Sequence, residues 1–345
     1  MAYILVLAEN GDVTVDAVML WMKYLDSCEI IRINEDDRID FVNIEAHNNT
    51  IANFSLEINN TLKVESREIV AYWYRRGGLA ISNVLQRDNL NHNATGRSFI
   101  RSIRGYCNAE WEHIAEYIHF LLKNTGVPYL NSFFDINVNK LINLEIAKKC
   151  GLQVPGSIIS NNILAIEAFL TQHKKVIVKP VRSPEGMFHI NLDRWYYSQP
   201  TNLFTLRDLR EVVKNHKTFQ PTLFQEYIEK DFEIRSYWMK SRVYSMAIFS
   251  QNNQKTKVDF RNYDHSMPNR IVPYLLPSKV EEGLSKIMTE LDYNSGSVDI
   301  IYSQGVYTFL EVNTVGQLQW LSRNCNYYIE KDIAELIISS RYEYR

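Results

Sequence analysis

Two carboxylates and one amide near the end of the chain have the chemistry to bind a hard metal ion. They are Asp299 in SVDII, and Glu311 and Asn313 in FLEVN. If the three side chains share one face of a hairpin, they lie within about 7 Å of one another. Oxygen ligands in that number suit Mg²⁺ that is also held by phosphate oxygens. The spacing therefore predicts a magnesium-nucleotide site, and the alternative is two carboxylates on the solvated face of a hairpin.

The hairpin itself is predicted by two apolar runs that flank Ser303-Gln304-Gly305, a glycine-containing three-residue loop. Side chains alternate between the faces of a strand, so the loop length decides which residues share a face. With this loop we expect one face to carry Asp299, Ile301, Tyr307, Phe309, Glu311 and Asn313. The other face is then almost wholly apolar, with Val298, Ile300, Tyr302, Val306, Thr308, Leu310 and Val312.

Composition sets wide bounds on the rest of the molecule. The chain has 345 residues, of which 46% are hydrophobic and 23% charged, enough for a globular protein of two or three domains. A formal net charge of -2 gives no overall attraction to nucleic acid or to an anionic membrane. No targeting segment or run of about 20 apolar residues is present, so we expect a cytoplasmic protein. Its four cysteines are widely spaced, which favours reduced, buried thiols.

The N-terminal part alternates between strands and a helix, which predicts an α/β unit. Strands are expected at YILVLAE, Glu29–Ile33 and Ile69–Tyr74, with a helix over Val13–Tyr24. The turn after the first strand, ENGDVT, lacks the GxGxxG pattern of dinucleotide-binding proteins. Arg75 and Arg76 end the third strand, where their guanidiniums could bind a carboxylate or phosphate or simply be solvated.

Two lysines in the middle of the chain are candidate phosphate ligands. Lys140 lies in the first turn of a predicted helix over Val138–Lys149, which should end with Gly151 as its C′ residue. Lys179 ends the β-branched run KKVIVKPV, which predicts a strand. An ammonium group at either position could act as a point charge on nucleotide phosphates, or could be an ordinary surface lysine.

Further elements follow from periodicity and turn residues. We expect helices over Arg97–Lys123, Leu203–Lys214, Ser278–Leu291 and Ile329–Ile338, and strands over Met187–Leu192, Arg194–Tyr197, Thr222–Ile228, Ile234–Met239 and Arg242–Ser250. The segment Lys257–Pro277 has several prolines and no helical period, so a loop is expected.

Taken together, these pieces resemble the ATP-grasp ligases. The matching residues, in the order typical of that family, are Lys140, Lys179, Gln225 to Ile228 in FQEYI, Arg235 in FEIRSY, Asp299, Glu311 and Asn313. They cover about two thirds of the chain. No single match is specific, but seven in the same order are difficult to obtain by chance.

The resemblance implies an α/β (α+β) molecule with the ATP-grasp fold, in which two antiparallel-sheet subdomains clamp ATP. It implies an N-terminal pre-grasp domain over residues 1–125, a central subdomain over 126–190 and a C-terminal subdomain with the metal site over 191–345. The implied nucleotide ligands are Lys140, Lys179, Gln225, Glu226, Tyr227, Ile228 and Glu233, with Glu226 to Ile228 on adenine and Glu233 on ribose. Mg²⁺ would be bound by Asp299, Glu311 and Asn313.

The segments WYRRGG and EVNTVGQLQW are similar to the branch of the family that macrocyclises ribosomal peptides, the graspetide or microviridin-type maturases of grasp-with-spasm systems. Such ligases use ATP to join Asp or Glu side chains of a precursor's core to its Thr, Ser or Lys side chains, as ω-esters or ω-amides. The resemblance makes Arg235, Arg261 and Lys179 catalytic, neutralising an acyl phosphate. It assigns peptide binding to Trp195, Tyr196, Tyr197, Arg75 and Arg76. We also expect a homodimer, with a precursor peptide as partner.

Two positions depart from related ligases. Ser297 stands where D-alanine ligases carry an arginine, and Thr314 stands where many macrocyclases have proline. The general base is open between Asp259 and His265. Two other functions also stay open: a glutathione-synthetase-like or glutamate-tailing ligase with the same chemistry, and a nonenzymatic, nucleotide-gated peptide-binding module.

Overall fold

The computed structural model describes residues 2–48, 50–81, 94–181, 185–190, 193–198, 201–215 and 218–343. Of these, residues 94–101, 185–190, 193–198, 215 and 342–343 are described by their backbone alone. The chain forms two compact units, an N-terminal unit of Met1–Ile136 with Tyr328–Arg345 and a second unit of Asn137–Tyr327. Within the described ranges, none of the helices has the length and apolar character needed to cross a membrane.

The N-terminal unit contains an α/β sheet, as the alternation of strands and helix predicts. Its elements before the last helix are β1 (Tyr3–Ala8), α1 (Val13–Leu25), β2 (Glu29–Asn34), β3 (Arg38–Glu45), β4 (Asn53–Ile58), β5 (Leu62–Glu65), β6 (Ile69–Arg75), β7 (Ala80–Ile81), α2 (Ala94–Asn124) and β8 (Tyr129–Leu130). One sheet is parallel, in the order β2-β1-β6-β8, and a second has the order β5-β4-β3-β7. Every side chain of β1 is buried, which explains its unbroken apolar sequence.

The second unit has two antiparallel sheets and a separate hairpin. Its elements are α3 (Lys140–Lys149), β9 (Ser157–Ser160), α4 (Ile163–His173), β10 (Val176–Lys179), β11 (Glu185–Ile190), β12 (Asp193–Ser198), β13 (Asn202–Phe204), α5 (Leu206–Asn215), β14 (Thr222–Glu226), β15 (Phe232–Met239), β16 (Arg242–Phe249), β17 (Arg270–Tyr274), α6 (Ser278–Glu290), β18 (Ser295–Ser303), β19 (Val306–Asn313) and α7 (Gln319–Cys325). The small sheet has the order β13-β10-β14-β9 and the large sheet the order β17-β16-β15-β18-β19. Strands β11 and β12 pair with each other.

One face of the small sheet packs against two helices. Val176 and Phe224 point to the side covered by α4 and α5, where they join Ile166, Leu170 and Leu209 in a buried cluster. Because side chains alternate along a strand, the residues between them on β10 and β14 point to the opposite face. That second face carries polar residues and is described with the site below.

The large sheet also packs one face against helices, and that face carries its apolar core. Ile234, Val298, Ile300, Phe309 and Val312 lie on the face that packs against α3 and α6. Those helices contribute their own buried residues, Leu144, Ala147, Leu284, Ile287 and Met288. The other face of β18 and β19 is therefore left to the polar side chains of the hairpin.

Local signals set the ends of α3, which carries one of the candidate lysines. The side chain of Asn139 accepts hydrogen bonds from the N–H groups of Leu141 and Ile142, so it caps the N-terminus. At the other end Gly151 has φ +80°, and the N–H of Leu152 donates to the carbonyl of Ala147. The predicted C′ glycine is confirmed, and Lys140 is fixed as the first residue of the helix.

The last helix, α8 (Ile329–Glu343), belongs to the N-terminal unit. It packs along α1 and β6, with Ile329, Ile333, Ala334 and Ile337 buried. Arg341 forms an ion pair with Asp26, at 2.8 Å between Nη2 and Oδ2. The boundaries of these two units differ from those of the three domains expected from the sequence. The three-domain division stays a prediction.

Some expectations were wrong in detail. Residues 202–204 form a strand, so the helix expected from Leu203 begins at Leu206. Helices α4 and α7 were not predicted. Four buried thiols were expected, but of the four cysteines Cys325 is buried, Cys28 and Cys150 are partly exposed, and Cys107 is exposed on α2.

Candidate functional site

The two carboxylates lie opposite each other on neighbouring strands. Asp299 of β18 pairs with Glu311 of β19, and Ser297 pairs with Asn313 two positions away on the same face. Directly opposed side chains in an antiparallel pair have Cβ atoms about 4.5–5.5 Å apart. The predicted convergence of Asp299, Glu311 and Asn313 on one face is confirmed.

The loop that produces this register is not the one predicted. The turn has two residues, Gln304 and Gly305, both with positive φ (48° and 87°), since Ser303 pairs with Val306. A bulge then shifts the register between Asp299 and Ile300, leaving Leu310 as the extra residue of β19. The shorter loop and the bulge compensate, so the carboxylates still share a face.

The same compensation moves the residues between the turn and the bulge to the other face. Tyr307 and Phe309 were expected beside the carboxylates, but they pack in the core with Ile300 and Tyr302. Leu310, expected in the apolar face, instead lines the site. The three-residue loop predicted that these two aromatic residues would lie beside the carboxylates. In the structure they do not, so they do not shield the carboxylates from solvent.

Each carboxylate is paired with a cation from another element. Lys140 Nζ lies 2.9 Å from Glu311 Oε2. Arg235, opposite Asp299 in the β15–β18 ladder, places Nη1 2.8 Å from both Asp299 oxygens. Burial by itself would raise the pKa of Glu311, but Lys140, Lys179 and Arg261 together hold it below its usual range. Glu311 is therefore ionised at neutral pH.

These groups open onto a cleft of about 830 Å³ that lies within the second unit. Its lining residues come from the polar faces of both sheets and from the loop after β16: Lys140, Pro155, Ile177, Lys179, Pro180, Thr201, Gln225, Glu226, Tyr227, Ile228, Lys230, Glu233, Val258, Asp259, Phe260, Arg261, Asp299, Ile301, Leu310 and Glu311. Ten of the residues that the sequence assigned to catalysis, nucleotide binding or metal binding thus line one cleft, together with the candidate base Asp259.

Lys179 differs from the other cations of this cleft. Burial lowers its pKa, Glu311 opposes that effect, and Lys140 and Arg261 add to it. Among the described side chains, Lys179 has no carboxylate oxygen within 4.0 Å, whereas Lys140, Arg235 and Arg261 each have one. A lysine without a carboxylate partner is available to an anionic ligand.

The segment after β14 offers backbone groups at the far end of the cleft. The N–H of Glu226 donates to the carbonyl of Gly156, and the N–H of Tyr227 donates to the carbonyl of Lys175. In the described part of the chain, the N–H of Ile228 has no such acceptor. The Glu226 carboxylate is held by the Gly156 N–H at 2.9 Å and by His173 at 3.2 Å. Of the predicted adenine-binding segment, Ile228 is the residue with a free donor.

Gln225 is a further polar group at this end. It is 1% exposed and donates from Nε2 to Ser157 Oγ at 3.0 Å. Its Oε1 is buried and has no partner among the described residues. An orphaned buried acceptor beside a cleft fits a ligand that brings its own donor, such as an amino group.

Glu233 lies on β15 and forms a buried pair that the sequence did not predict. Lys230 Nζ is 2.9 Å from Glu233 Oε1, and the hydroxyl of Ser250 donates to the same oxygen at 2.9 Å. Burial raises the pKa of Glu233, an effect that Lys230 and Ser250 oppose. Lys230 and Glu233 are spaced i,i+3 in the EKDFE segment. Many surface segments have charged residues at this spacing, so the spacing alone does not predict a buried pair.

Arg261 is held by Asp259, two residues before it. Its Nε and Nη2 contact both oxygens of Asp259 at 2.7–3.2 Å, and its N–H donates to Oδ1. Burial would raise the pKa of Asp259, but Arg261 holds it below its usual value. Phe260 stacks on Trp320 of α7, with ring centroids 5.8 Å apart. His265, the other candidate base, packs against Tyr263 and does not line the cleft.

The predicted peptide-binding residues lie elsewhere. Arg75 belongs to the N-terminal unit, where it is buried and paired with Asp12 at 3.1 Å, so its guanidinium is not presented outward as expected. Arg76 is exposed, and its Nη1 lies 3.8 Å from Glu9 Oε2. The side chains of residues 195–197 are outside the described part of the structure, although their backbone forms β12 as predicted.

The donor set fits magnesium shared with a nucleotide better than an all-protein metal site. In the described part of the chain, no three His, Cys, Asp or Glu side chains cluster as metal ligands. Two carboxylates with an amide on the same face leave most coordination positions to phosphate oxygens and water, which is the usual arrangement for Mg²⁺. Asn313 lies beside this pair without lining the cleft itself.

Comparison with known proteins supports the fold expected from the sequence. The chain matches no protein-family profile and no curated protein sequence. It resembles the solved structure of a RiPP-associated ATP-grasp ligase from Chryseobacterium gregarium in complex with ADP and a leader and core peptide (TM-score 0.77, 22% identity, 98% of this chain and 97% of that chain). It also resembles the macrocyclase MdnC from Microcystis aeruginosa MRC, bound with the precursor peptide MdnA (TM-score 0.71, 21% identity, 98% and 100%).

A third solved structure is that of the ATP-grasp ligase PsnB, complexed with a phosphomimetic variant of its minimal precursor, Mg and ADP (TM-score 0.69, 16% identity, 99% of both chains). These likenesses extend over almost the whole chain, including both units. The chain therefore has the ATP-grasp fold.

Proposed function

We propose that this chain is an ATP-dependent carboxylate-amine or carboxylate-alcohol ligase that macrocyclises a ribosomally made precursor peptide. The observation that carries the proposal is the charge arrangement of the cleft. Two opposed carboxylates, Asp299 and Glu311, lie near three cations: Lys140, Lys179 and Arg235. Of these three, Lys179 has no carboxylate partner among the described residues. Such a site suits a magnesium nucleotide, because it supplies metal ligands and phosphate ligands side by side.

The nucleotide would lie along the cleft. Its adenine would meet Ile228 and Gln225, whose free N–H and free carbonyl oxygen complement a ring with both acceptors and an amino group. Its ribose would meet Glu233. The phosphates would lie near Lys140 and Lys179, and Mg²⁺ held by Asp299, Glu311 and Asn313 would neutralise their charge.

The reaction requires activation, because a carboxylate is a poor acylating agent at neutral pH. The γ-phosphoryl group of ATP passes to an Asp or Glu side chain of the peptide, giving ADP and an acyl phosphate. A hydroxyl of Thr or Ser, or an amine of Lys, then attacks the acyl carbon, loses its proton and expels phosphate. Arg235 and Arg261 supply fixed positive charge where the transferred phosphoryl group develops negative charge.

A peptide substrate is favoured over a small molecule by the structural relatives. The three solved structures described above hold a leader and core peptide, a precursor peptide or a minimal precursor. For this chain the peptide, its core composition and a homodimer are part of the proposal, as is a cytoplasmic location.

The test uses the intact protein with a candidate precursor encoded beside its gene. We expect ADP, phosphate and a peptide lighter by one water per ring, and hydroxylamine added during turnover should trap a hydroxamate on a core Asp or Glu. AMP and pyrophosphate, or an adenylated peptide, would rule out the acyl-phosphate route. Nucleotide binding without any peptide-dependent ADP release would favour a nonenzymatic, nucleotide-gated module instead.

A further inference from the structure

Lys230 connects three segments of the second unit through one ammonium group. It lies between β14 and β15, and its side chain is only 2% exposed. Its Nζ is 2.9 Å from Glu233 Oε1 on β15 and 2.9 Å from the carbonyl oxygen of Val258, in the loop after β16. No catalytic or binding step proposed above uses this lysine.

The first connection concerns the state of Glu233. One oxygen of this carboxylate, Oε1, accepts from both Lys230 and Ser250, and Oε2 has no protein donor among the described residues. Glu233 lines the cleft with a side chain that is 10% exposed, so a ligand in the cleft can contact this carboxylate. An ionised carboxylate can accept hydrogen bonds from ligand hydroxyls at that oxygen, whereas a neutral carboxyl loses part of this capacity.

Burial favours the neutral form of Glu233, so the nearby charge decides which form is present. The charges and hydroxyls that face it are the ammonium of Lys230, the hydroxyl of Ser250 and, further away, the carboxylate of Asp259. Of these, Lys230 is the cation. Removing its charge would leave Glu233 with a single hydroxyl donor and a like charge nearby.

The second connection concerns the loop after β16. Val258 is followed directly by Asp259, which orients the guanidinium of Arg261 through several contacts. The bond from Lys230 to the Val258 carbonyl therefore anchors the segment that presents Arg261 to the cleft. Lys230 is buried, so this anchor is shielded from water, and a buried charge-assisted hydrogen bond is stronger than a neutral one.

We propose that Lys230 is a positioning residue that couples recognition of the nucleotide's ribose hydroxyls to the placement of Arg261. One ammonium forms an ion pair with Glu233, which favours the ionised form of this acceptor, and also fixes the start of the Arg261 segment, so occupancy at the sugar end stabilises the loop at the reacting end. This inference rests on the proposed function, since it assumes that an adenine nucleotide occupies the cleft.

The experiment compares three variants of the full chain. Lys230→Gln removes the charge and keeps a donor, and Lys230→Met removes both. Lys175→Met is the matched control, because Lys175 forms an exposed ion pair with Glu229 at the same end of the small sheet. Affinities for ATP and for 3′-deoxy-ATP are measured by calorimetry, and amide hydrogen exchange of residues 254–261 is followed with and without ATP.

The wild type and Lys175→Met should bind ATP at least tenfold more tightly than 3′-deoxy-ATP, and ATP should slow exchange in residues 254–261. Lys230→Gln should reduce that discrimination, and Lys230→Met should abolish both it and the ATP-dependent protection. Glu233→Gln should itself reduce the discrimination between ATP and 3′-deoxy-ATP. In a double-mutant cycle, adding Lys230→Met should cause no further loss of this discrimination.

The possible failures are distinguishable. A wild type that binds no adenine nucleotide overturns the proposed function and this inference with it. Normal ATP binding, with full discrimination and loop protection retained in Lys230→Met, overturns the inference alone. Should Lys230→Met fail to fold in a thermal melt, Lys230→Gln decides: wild-type discrimination in that variant overturns the coupling.

Discussion

Replacing Glu311 by Gln should reverse the way in which nucleotide binding depends on magnesium. Glu311 is ionised at neutral pH, since the surrounding cations hold its pKa below the usual range. The substitution therefore removes a full negative charge while keeping the side-chain volume. It removes a proposed metal ligand and also releases Lys140, whose Nζ lies 2.9 Å from Glu311 Oε2.

The magnitude follows from the geometry of that ion pair. At 2.9 Å and an effective dielectric constant of about 20, the gross attraction between Lys140 and Glu311 is about 6 kcal/mol. Both side chains are slightly less than one-fifth exposed, so solvation offsets most of this attraction. If about a quarter of this attraction, roughly 1.4 kcal/mol, becomes available for binding phosphates, Glu311→Gln should bind metal-free ADP roughly tenfold more tightly than the wild type does.

The assay is calorimetric titration with ADP, once in excess EDTA and once in excess MgCl₂. The wild type should bind more tightly with Mg²⁺, and Glu311→Gln should bind more tightly without it. Glu145→Gln is the matched control, because Glu145 lies on the same helix as Lys140 and pairs with Lys148 at the surface. If Glu311→Gln binds ADP in EDTA as weakly as the wild type, and gains as much from Mg²⁺, both roles assigned to Glu311 are refuted.

Three further outcomes are expected. Lys179→Met should weaken ADP binding about tenfold or more in the same titration, because Lys179 is the described cleft cation without a carboxylate partner. Gly316→Ala should lower turnover while the protein still folds. The added Cβ would lie 2.7 Å from Ser297 Oγ and 3.0 Å from Arg235 Nη2. Relieving contacts this short costs about 1–3 kcal/mol. Trp195→Ala should weaken binding of a fluorescent leader peptide while ADP affinity stays unchanged.

Each of these outcomes has its own control. Lys174→Met, an exposed lysine of the loop before β10, should leave ADP affinity at the wild-type value. For Gly316→Ala, thermal melting separates misfolding from misplacement of the Arg235 guanidinium, and unchanged turnover would contradict the close approach described. Normal leader binding by Trp195→Ala would move the docking surface away from β12.

Much of the site was predictable because its residues are held by short, regular elements. Lys140 follows a helix cap, Lys179 ends a strand, and Asp299 and Glu311 lie on a hairpin, so local patterns are enough to bring each to an element's end or face. The hairpin also shows the limit of such patterns. A two-residue turn with a bulge at Leu310 gives the carboxylates the same relationship as a three-residue loop without one. Sequence periodicity near the turn does not distinguish the two.

Residues whose roles depend on distant partners were not predictable. Lys230 is buried because its ammonium meets Val258, and this contact joins positions 28 apart in the sequence. Arg75 was expected to face a ligand, but Asp12, 63 positions earlier, binds its guanidinium within the N-terminal unit. Neither partnership leaves a local pattern, since nothing in the neighbouring residues indicates which distant group will be adjacent after folding.

The position of α8 has a consequence for synthesis of the chain on the ribosome. The N-terminal unit needs this helix to cover α1 and β6, yet roughly 190 residues of the second unit are translated in between. At about 5–20 residues per second, the surface that α8 covers stays open for roughly 10–40 s after the first 136 residues have emerged. During that interval the nascent N-terminal unit exposes the binding site for Ile329, Ile333 and Ile337, which makes it a candidate client for chaperones that bind apolar surface. A chain that stops before residue 328 would expose this surface permanently, even with every residue of the cleft in place.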